Sequence, residues 1–455
     1  MILVDRALAE RNERGNPVTV ALVGAGYSGR TIAHQLIHSF PGLSLVAISN
    51  RTLEAARSAY ASAGVADVRV VRSASELEQA IREGRAAISE DADILCRAGG
   101  IDVVIEATGT IEFGAAVVMS AVQNGKHIIL MNVELDATLG PVLKSYADRA
   151  GVMYSNSDGD EPGVAMNMIR FVRSIGLTPV VAGNLKGLYD RYRTPETQKG
   201  FAEKAGQKAT TMTSFADGTK LSMELNVLAN GTGFRVARRG MYGPALPHIN
   251  DAGTFYRDKL LNGGMVDFTC GAAPNNGAFV LGFTEDPVKA AYLKYLKMGE
   301  GPLYTFYTPF HLPQLEIPLT VARAVLFRDA TIAPLGAPVC DSIAIAKRDL
   351  KAGEVLDGIG GFTCYTLIEN YDISRRENAL PMGVSEGCVL RRDVAKDRLV
   401  TYDDVELVPN RLCDRLRREQ DDMRSAADAM TATSVSTDAG SIHSWKRDRE
   451  SLVAG

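Results

Sequence analysis

The chain has 455 residues, 46% of them hydrophobic and 23% charged, with a formal net charge of −4. That balance suits a soluble protein of two or three domains; it lacks the basic surplus of a nucleic-acid binder and any run of the roughly 18 apolar residues that a membrane span needs. The N-terminal segment has no apolar signal core, and the six cysteines (Cys96, Cys270, Cys340, Cys364, Cys388, Cys413) are too scattered for a CxxC pair, so a reducing cytoplasm is expected, with no disulfide frame or zinc knuckle.

Strand-like runs at Val18–Val23, Leu43–Ser49, Val68–Val71, Ile101–Ala107, His127–Asn132 and Val152–Ser155 alternate with helical patterns at Arg30–Ser39, Thr52–Ala63 and Gly114–Asn124. Alternation of this kind predicts an α/β fold with a doubly wound parallel sheet. Past Gly159 the pattern becomes mixed α+β. Pro162 opens a helix over Gly163–Ile175, strands are expected at Val180–Gly183, Val266–Cys270, Ala278–Phe283 and Tyr304–Tyr307, and a helix spans Lys220–Ala229. From Pro338 the turns of a small β-rich module follow, and from about Arg415 a helix leads into a polar tail expected to be disordered. The divisions read as 1–157, 158–337, 338–412 and 413–455.

Gly24, Gly26 and Gly29, with Tyr27 and Ser28 between the last two, form a GxGxxG phrase that follows a strand and opens a helix. The first glycine permits a tight turn, the second a close approach to a pyrophosphate, the third close helix–strand packing, with the helix N-terminus facing the phosphates. The second strand ends Ser49-Asn50-Arg51, without the acidic residue that would bond the ribose 2′-OH of NAD. Ser49, Asn50 and Arg51 suit a 2′-phosphate instead, which favours NADP(H), although Arg51 also reads as a solvated loop arginine. Thr108 and Gly109, at the exit of a later strand, suit the cofactor crevice or an ordinary βα turn.

Hydride transfer needs a proton donor beside the developing alkoxide and groups that hold the substrate. Asp158, Asp160 and Glu161 lie where the last strand of the sheet ends. They can position the substrate, bind a divalent metal or cap the helix that Pro162 starts. Lys186, flanked by Leu185 and Gly187, follows a short strand and can anchor substrate or donate a proton. Lys220 and Glu224 are four residues apart on one helix face in an apolar stretch, a spacing that predicts a partly buried pair able to tune a proton donor; Lys220 and Lys186 are the candidates for proton donation and substrate anchoring, with Glu224, Asp158 and Glu161 positioning them. His311, among aromatics and prolines, reads as a packed core residue.

The phrases GAGYSG, NGKHIILMNVE, SDGDEPG, GNLKG, FADGTKLSMELNVLANGTG, KMGEGPLYTFYTPFHL and AKRDLKAGE span about residues 17–410. Together they resemble the homoserine-dehydrogenase-like oxidoreductases with a C-terminal SAF domain, a group that includes the type II deoxyxylulose-phosphate reductoisomerases. The resemblance implies an NADP-binding Rossmann domain, a catalytic domain that also forms a homodimer, and an SAF-like module. Glu134 stands where homoserine dehydrogenases have a lysine. Read without gaps, Glu224 and Lys220 fall where their catalytic lysine and aspartate lie, which argues against homoserine as substrate. The function implied is NADP(H)-dependent oxidoreduction of a small hydroxy or oxo compound, a sugar phosphate among the candidates, with skeletal rearrangement as a variant. An NADP-binding sensor or scaffold, using the SAF-like module to bind a sugar or protein, is the alternative.

Overall fold

The computed structural model describes residues 4–435. Seven strands form a wholly parallel sheet: β1 (Val18–Val23), β2 (Leu43–Ser49), β3 (Val68–Val70), β4 (Ala86–Ser89), β5 (Val103–Glu106), β6 (His127–Leu130) and β7 (Tyr154–Asn156), in the order β3-β4-β2-β1-β5-β6-β7. Successive side chains alternate between two separate cores. Ala21, Val23, Val104 and Ile128 enter one, while Val20, Leu22, Val103, Ile105 and Ile129 enter the other. A strand buried on both faces needs apolar residues at every position, which is why these runs read as continuous rather than alternating. The chain leaves β1 toward β2 and later returns to its other side as β5. The crevice at the carboxyl ends of β1 and β5 is therefore the topological switch point.

A second, mixed sheet contains β8 (Thr178–Lys186), β9 (Met265–Cys270), β10 (Ala278–Phe283) and β11 (Leu303–Thr308), in the order β11-β10-β8-β9. Strand β10 runs antiparallel to β8 and β11, and β8 runs parallel to β9. Two small antiparallel ribbons follow, β12 (Cys340–Ala346) with β13 (Cys364–Asn370) and β14 (Val389–Leu390) with β15 (Val405–Glu406). The helix Ile317–Phe327 crosses back to the first sheet, where Ile317, Val321 and Ala324 share a core with Ile32 and Leu36. The helix expected near the C-terminus spans Leu412–Val435; the polar tail beyond it lies outside the described residues. Among the described residues no helix is long and apolar enough to cross a membrane.

The helix Thr219–Thr232 joins these parts and is buried on every side from Leu221 to Gly231. Its polar residues Ser222, Asn226 and Asn230 recur every four positions and so form one stripe. Ser222 donates to the carbonyl of Thr366 (3.0 Å). Asn226 donates to the carbonyl of Ala137 (2.8 Å) and to Ser342 Oγ (3.1 Å), and Asn230 donates to Asn226. Asn230 Oδ1 in turn accepts the amides of Val339 (2.7 Å) and Cys340. Buried polar groups are tolerable when paired in this way. Asn230→Ala would leave those amides without a partner, so it is expected to cost about 2–3 kcal/mol, read as a lower denaturation midpoint with an unchanged denaturant slope.

Candidate active site

The glycine loop stands at the switch point. Gly24 has φ +106°, and a Cβ there would lie 2.6 Å from the carbonyl oxygen of Ala107 on the neighbouring strand exit. A Cβ on Gly29 would lie 2.0 Å from the Gly24 oxygen, whereas one on Gly26 would meet nothing within 4 Å. The first and third glycines are thus fixed by packing, and the second leaves open space. The helix Tyr27–His38 begins with no side chain capping its first turn, so its leading amides remain available to an anion. These features fit a dinucleotide pyrophosphate. Gly26, Tyr27, Ser28, Thr108 and Gly109 line a cavity of about 1460 Å³.

The tip of β2 is used differently from the sequence expectation. Ser49 is buried, and its carbonyl accepts the Gly24 amide (2.8 Å). Asn50 Oδ1 accepts the Ala25 amide (3.1 Å), so both residues brace the loop. Only Arg51 of the three is exposed to solvent.

Across the same cavity lies a cluster of ammonium and carboxyl groups from five places in the chain. Strand β8 ends in Lys186, the helix Thr219–Thr232 supplies Lys220 and Glu224, and the helix Val133–Arg149 begins with Glu134. Asp160 and Glu161 stand at the N-terminus of the helix Glu161–Ser174, and His311 comes from the loop after β11. Lys186 Nζ lies 3.2 Å from Glu161 and 3.4 Å from Glu224, Lys220 Nζ 3.3 Å from Glu134, and His311 Nε2 3.6 Å from Glu161. Asn184, fully buried, donates to Glu224 at 2.7 Å. The expected pairing of Lys220 with Glu224 along one helix face is replaced by partners from other elements.

Burial and the neighbouring Glu161 push the Glu224 carboxyl up to about 8, with Lys186 and Lys220 opposing the rise. Burial likewise raises Asp160 to about 7, against the pull of Lys220. Burial also opposes ionisation of Glu161, but Lys186 and His311 outweigh it and hold that carboxyl at about 2. Burial would lower both lysines. Glu224 and Glu161 beside Lys186, and Glu134 and Asp160 beside Lys220, instead hold them above the ordinary lysine range. His311 is lowered by its burial.

Asp158 does not join this cluster. It is fully buried and engaged by Arg323, Asn167 (2.9 Å) and Thr331 (2.5 Å), so it fastens the turn to the helix Ile317–Phe327. The set with metal-like spacing is therefore Asp160, Glu161 and Glu224, whose oxygens lie within 4.8 Å of one another. Lys186 already stands between Glu161 and Glu224, so a divalent ion does not fit without displacing it. Glu106, which the sequence did not single out, ends β5 fully buried. Its carboxyl accepts from the amide of Thr108 (2.9 Å) and its hydroxyl, and burial raises it to about 6.

Residues 18–130 match the model of the oxidoreductase family with an NAD-binding Rossmann fold, and residues 159–317 match that of the oxidoreductase DRL catalytic domain. The chain is an NAD(P)-dependent oxidoreductase. The matches are not to homoserine dehydrogenases, so the resemblance read from the sequence holds at the level of the oxidoreductase. No curated protein matches this oxidoreductase in a sequence comparison. Among solved structures it is similar to a probable dehydrogenase from Thermotoga maritima (14% identity, 70% of this chain and 91% of that one, TM-score 0.40). It is also similar to myo-inositol 2-dehydrogenase from Lactobacillus plantarum (14%, 59% and 75%, 0.34). A third is scyllo-inositol dehydrogenase from Lactobacillus casei with bound NAD(H) and scyllo-inositol (11%, 69% and 91%, 0.39).

Proposed function

We propose that the oxidoreductase interconverts a hydroxyl and an oxo group on a small, sugar-like substrate, with Glu224 carrying the proton and the two lysines holding the oxygen. The observation that carries this reading is the sharing of one cavity by the glycine loop and the cluster of Lys186, Lys220 and Glu224. Bound nicotinamide would supply or accept the hydride. The charged inner wall suits a substrate rich in hydroxyls, since apolar ligands gain little against such groups.

The proton assignment follows from the shifts. An ammonium held above its usual range gives up its proton poorly, but it stabilises negative charge growing on an adjacent oxygen. This moves proton donation from Lys220 and Lys186, where the sequence put it, to Glu224. A carboxyl near 8 is protonated at neutral pH and can donate to that oxygen, as efficient general acids sit near the working pH. Asn184 fixes the orientation of Glu224, and Asp160 and Glu161 hold the lysines. The sensor or scaffold alternative gives no use for such a buried, proton-retaining group. In the reductive direction, kcat is expected to fall as pH rises through about 8, because the proton required is lost there. Glu224→Gln keeps the hydrogen-bonding shape, so folding and cofactor binding should persist while kcat drops about a hundredfold or more and the alkaline limb disappears. A variant with the parent profile would remove Glu224 from the chemistry.

NADP(H) is the proposed preference within this reading. It is supported by the exposed Arg51 at the β2 tip and by the absence of a carboxylate among residues 49–51. Arg51→Ala is expected to weaken NADPH about tenfold and leave NADH within about twofold, measured as kcat/KM for each; equal losses would contradict the preference.

A further inference from the structure

The loop between β11 and the helix Ile317–Phe327 carries a polar side chain to each end of the cavity. His311 reaches Glu161 in the charged cluster. Three residues on, Gln314 Nε2 donates to Ser28 Oγ at 3.1 Å, in the first turn of the glycine-loop helix. The loop is held firmly between these contacts. Ser157 Oγ donates to the carbonyl of Pro313 (2.8 Å), and Gly159 packs so closely that a Cβ on it would lie 2.4 Å from the carbonyl oxygen of Leu312. Gln314, Ser28 and Gly26 all line the cavity.

We propose that Gln314 is a cofactor-binding residue, reaching from the loop after the second sheet to the pyrophosphate of the dinucleotide. This rests on the NAD(P) site described above and extends it beyond the glycine loop. An amide nitrogen has two hydrogens. One is spent on Ser28, and the other is free to face a phosphate oxygen over the open Gly26. Ser28, accepting from Gln314, keeps its own hydroxyl hydrogen for the same anion. The helix N-terminus supplies backbone amides from one side, and Gln314 supplies a donor from the other. Because the same short loop holds His311 against Glu161, a bound dinucleotide would fix the wall of the substrate site as well, and the linkage is reciprocal.

The test is titration of the full chain with NADPH and NADH, followed by nicotinamide fluorescence, and with ADP-ribose, which carries both phosphates but no nicotinamide, followed by calorimetry. Gln314→Ala is expected to weaken both kinds of ligand about tenfold, as loss of one hydrogen bond to a charged group implies. Gln314→Glu, which sets a carboxylate against the phosphates, should weaken them more. Apo melting temperatures should stay at the parent value. Parent-like affinity in both variants overturns the proposal, as does a loss seen only with the complete dinucleotide or only together with a lowered apo melting temperature. A parent chain that binds none of the three ligands would instead overturn the cofactor site itself.

Discussion

Two ammonium groups, largely withdrawn from solvent among four carboxyls, set the terms for this site. Lys186 and Lys220 can balance two negative charges, and Glu134, Asp160, Glu161 and Glu224 offer four. With little solvent to screen the excess, the carboxyls cannot all ionise at neutral pH. Burial raises Glu224 and Asp160, while Lys186 and His311 hold Glu161 low. In the proposed reading, the proton that Glu224 retains thus arises from charge counting on a poorly solvated cavity wall, without any unusual residue. It lies across one cavity from a loop shaped for phosphates, which puts hydride and proton chemistry within reach of one substrate.

Holding such a cluster requires a scaffold that does not relax around it. The buried helix Thr219–Thr232 meets this need. Its start is fixed by Asp217, whose carboxylate accepts the Thr219 amide (2.9 Å) and the ammonium of Lys347 (2.9 Å). Lys347 sits just past β12 and also donates to the carbonyls of Arg193 (2.8 Å) and Gly361 (2.7 Å). The antiparallel ribbons therefore bear on the site through one buried cation, although most of their residues lie away from it. The polar stripe of the same helix ties its far end to the first ribbon.

Much of the first sheet was legible because its strands are buried on both faces and punctuated by glycine. β1 and β2 begin and end where their apolar runs do. β4 was not legible: Ala86–Ser89 is four residues, three of them small, too short a run to stand out from a loop. The helix Val133–Arg149 was not singled out; Gly140 and Pro141 lie inside it, a pair that weakens a helical pattern in sequence, and Pro141 is accommodated there. Lys186, Lys220, Glu161 and Glu224 were recognisable as chemistry-bearing, but their partners were not. The four-residue spacing of Lys220 and Glu224 points to a local pair, and the fold turns each to a distant element. His311 looks like packing from its aromatic surroundings, and Gln314 gives no local signal, because its contact with Ser28 spans 286 positions. Asp158 was read as a positioning, metal-binding or capping residue, because its engagement by Arg323 depends on a helix 165 residues away.

The central claim, that Glu224 holds its proton at neutral pH, is open to direct observation. Isotope-edited infrared difference spectra of the parent against Glu224→Gln, recorded across pH, would isolate this one carboxyl. The account requires a protonated carboxyl band at pH 7 that gives way to carboxylate near pH 8. A Glu224 ionised from pH 5 upward would contradict it and return proton donation to another group of the cluster.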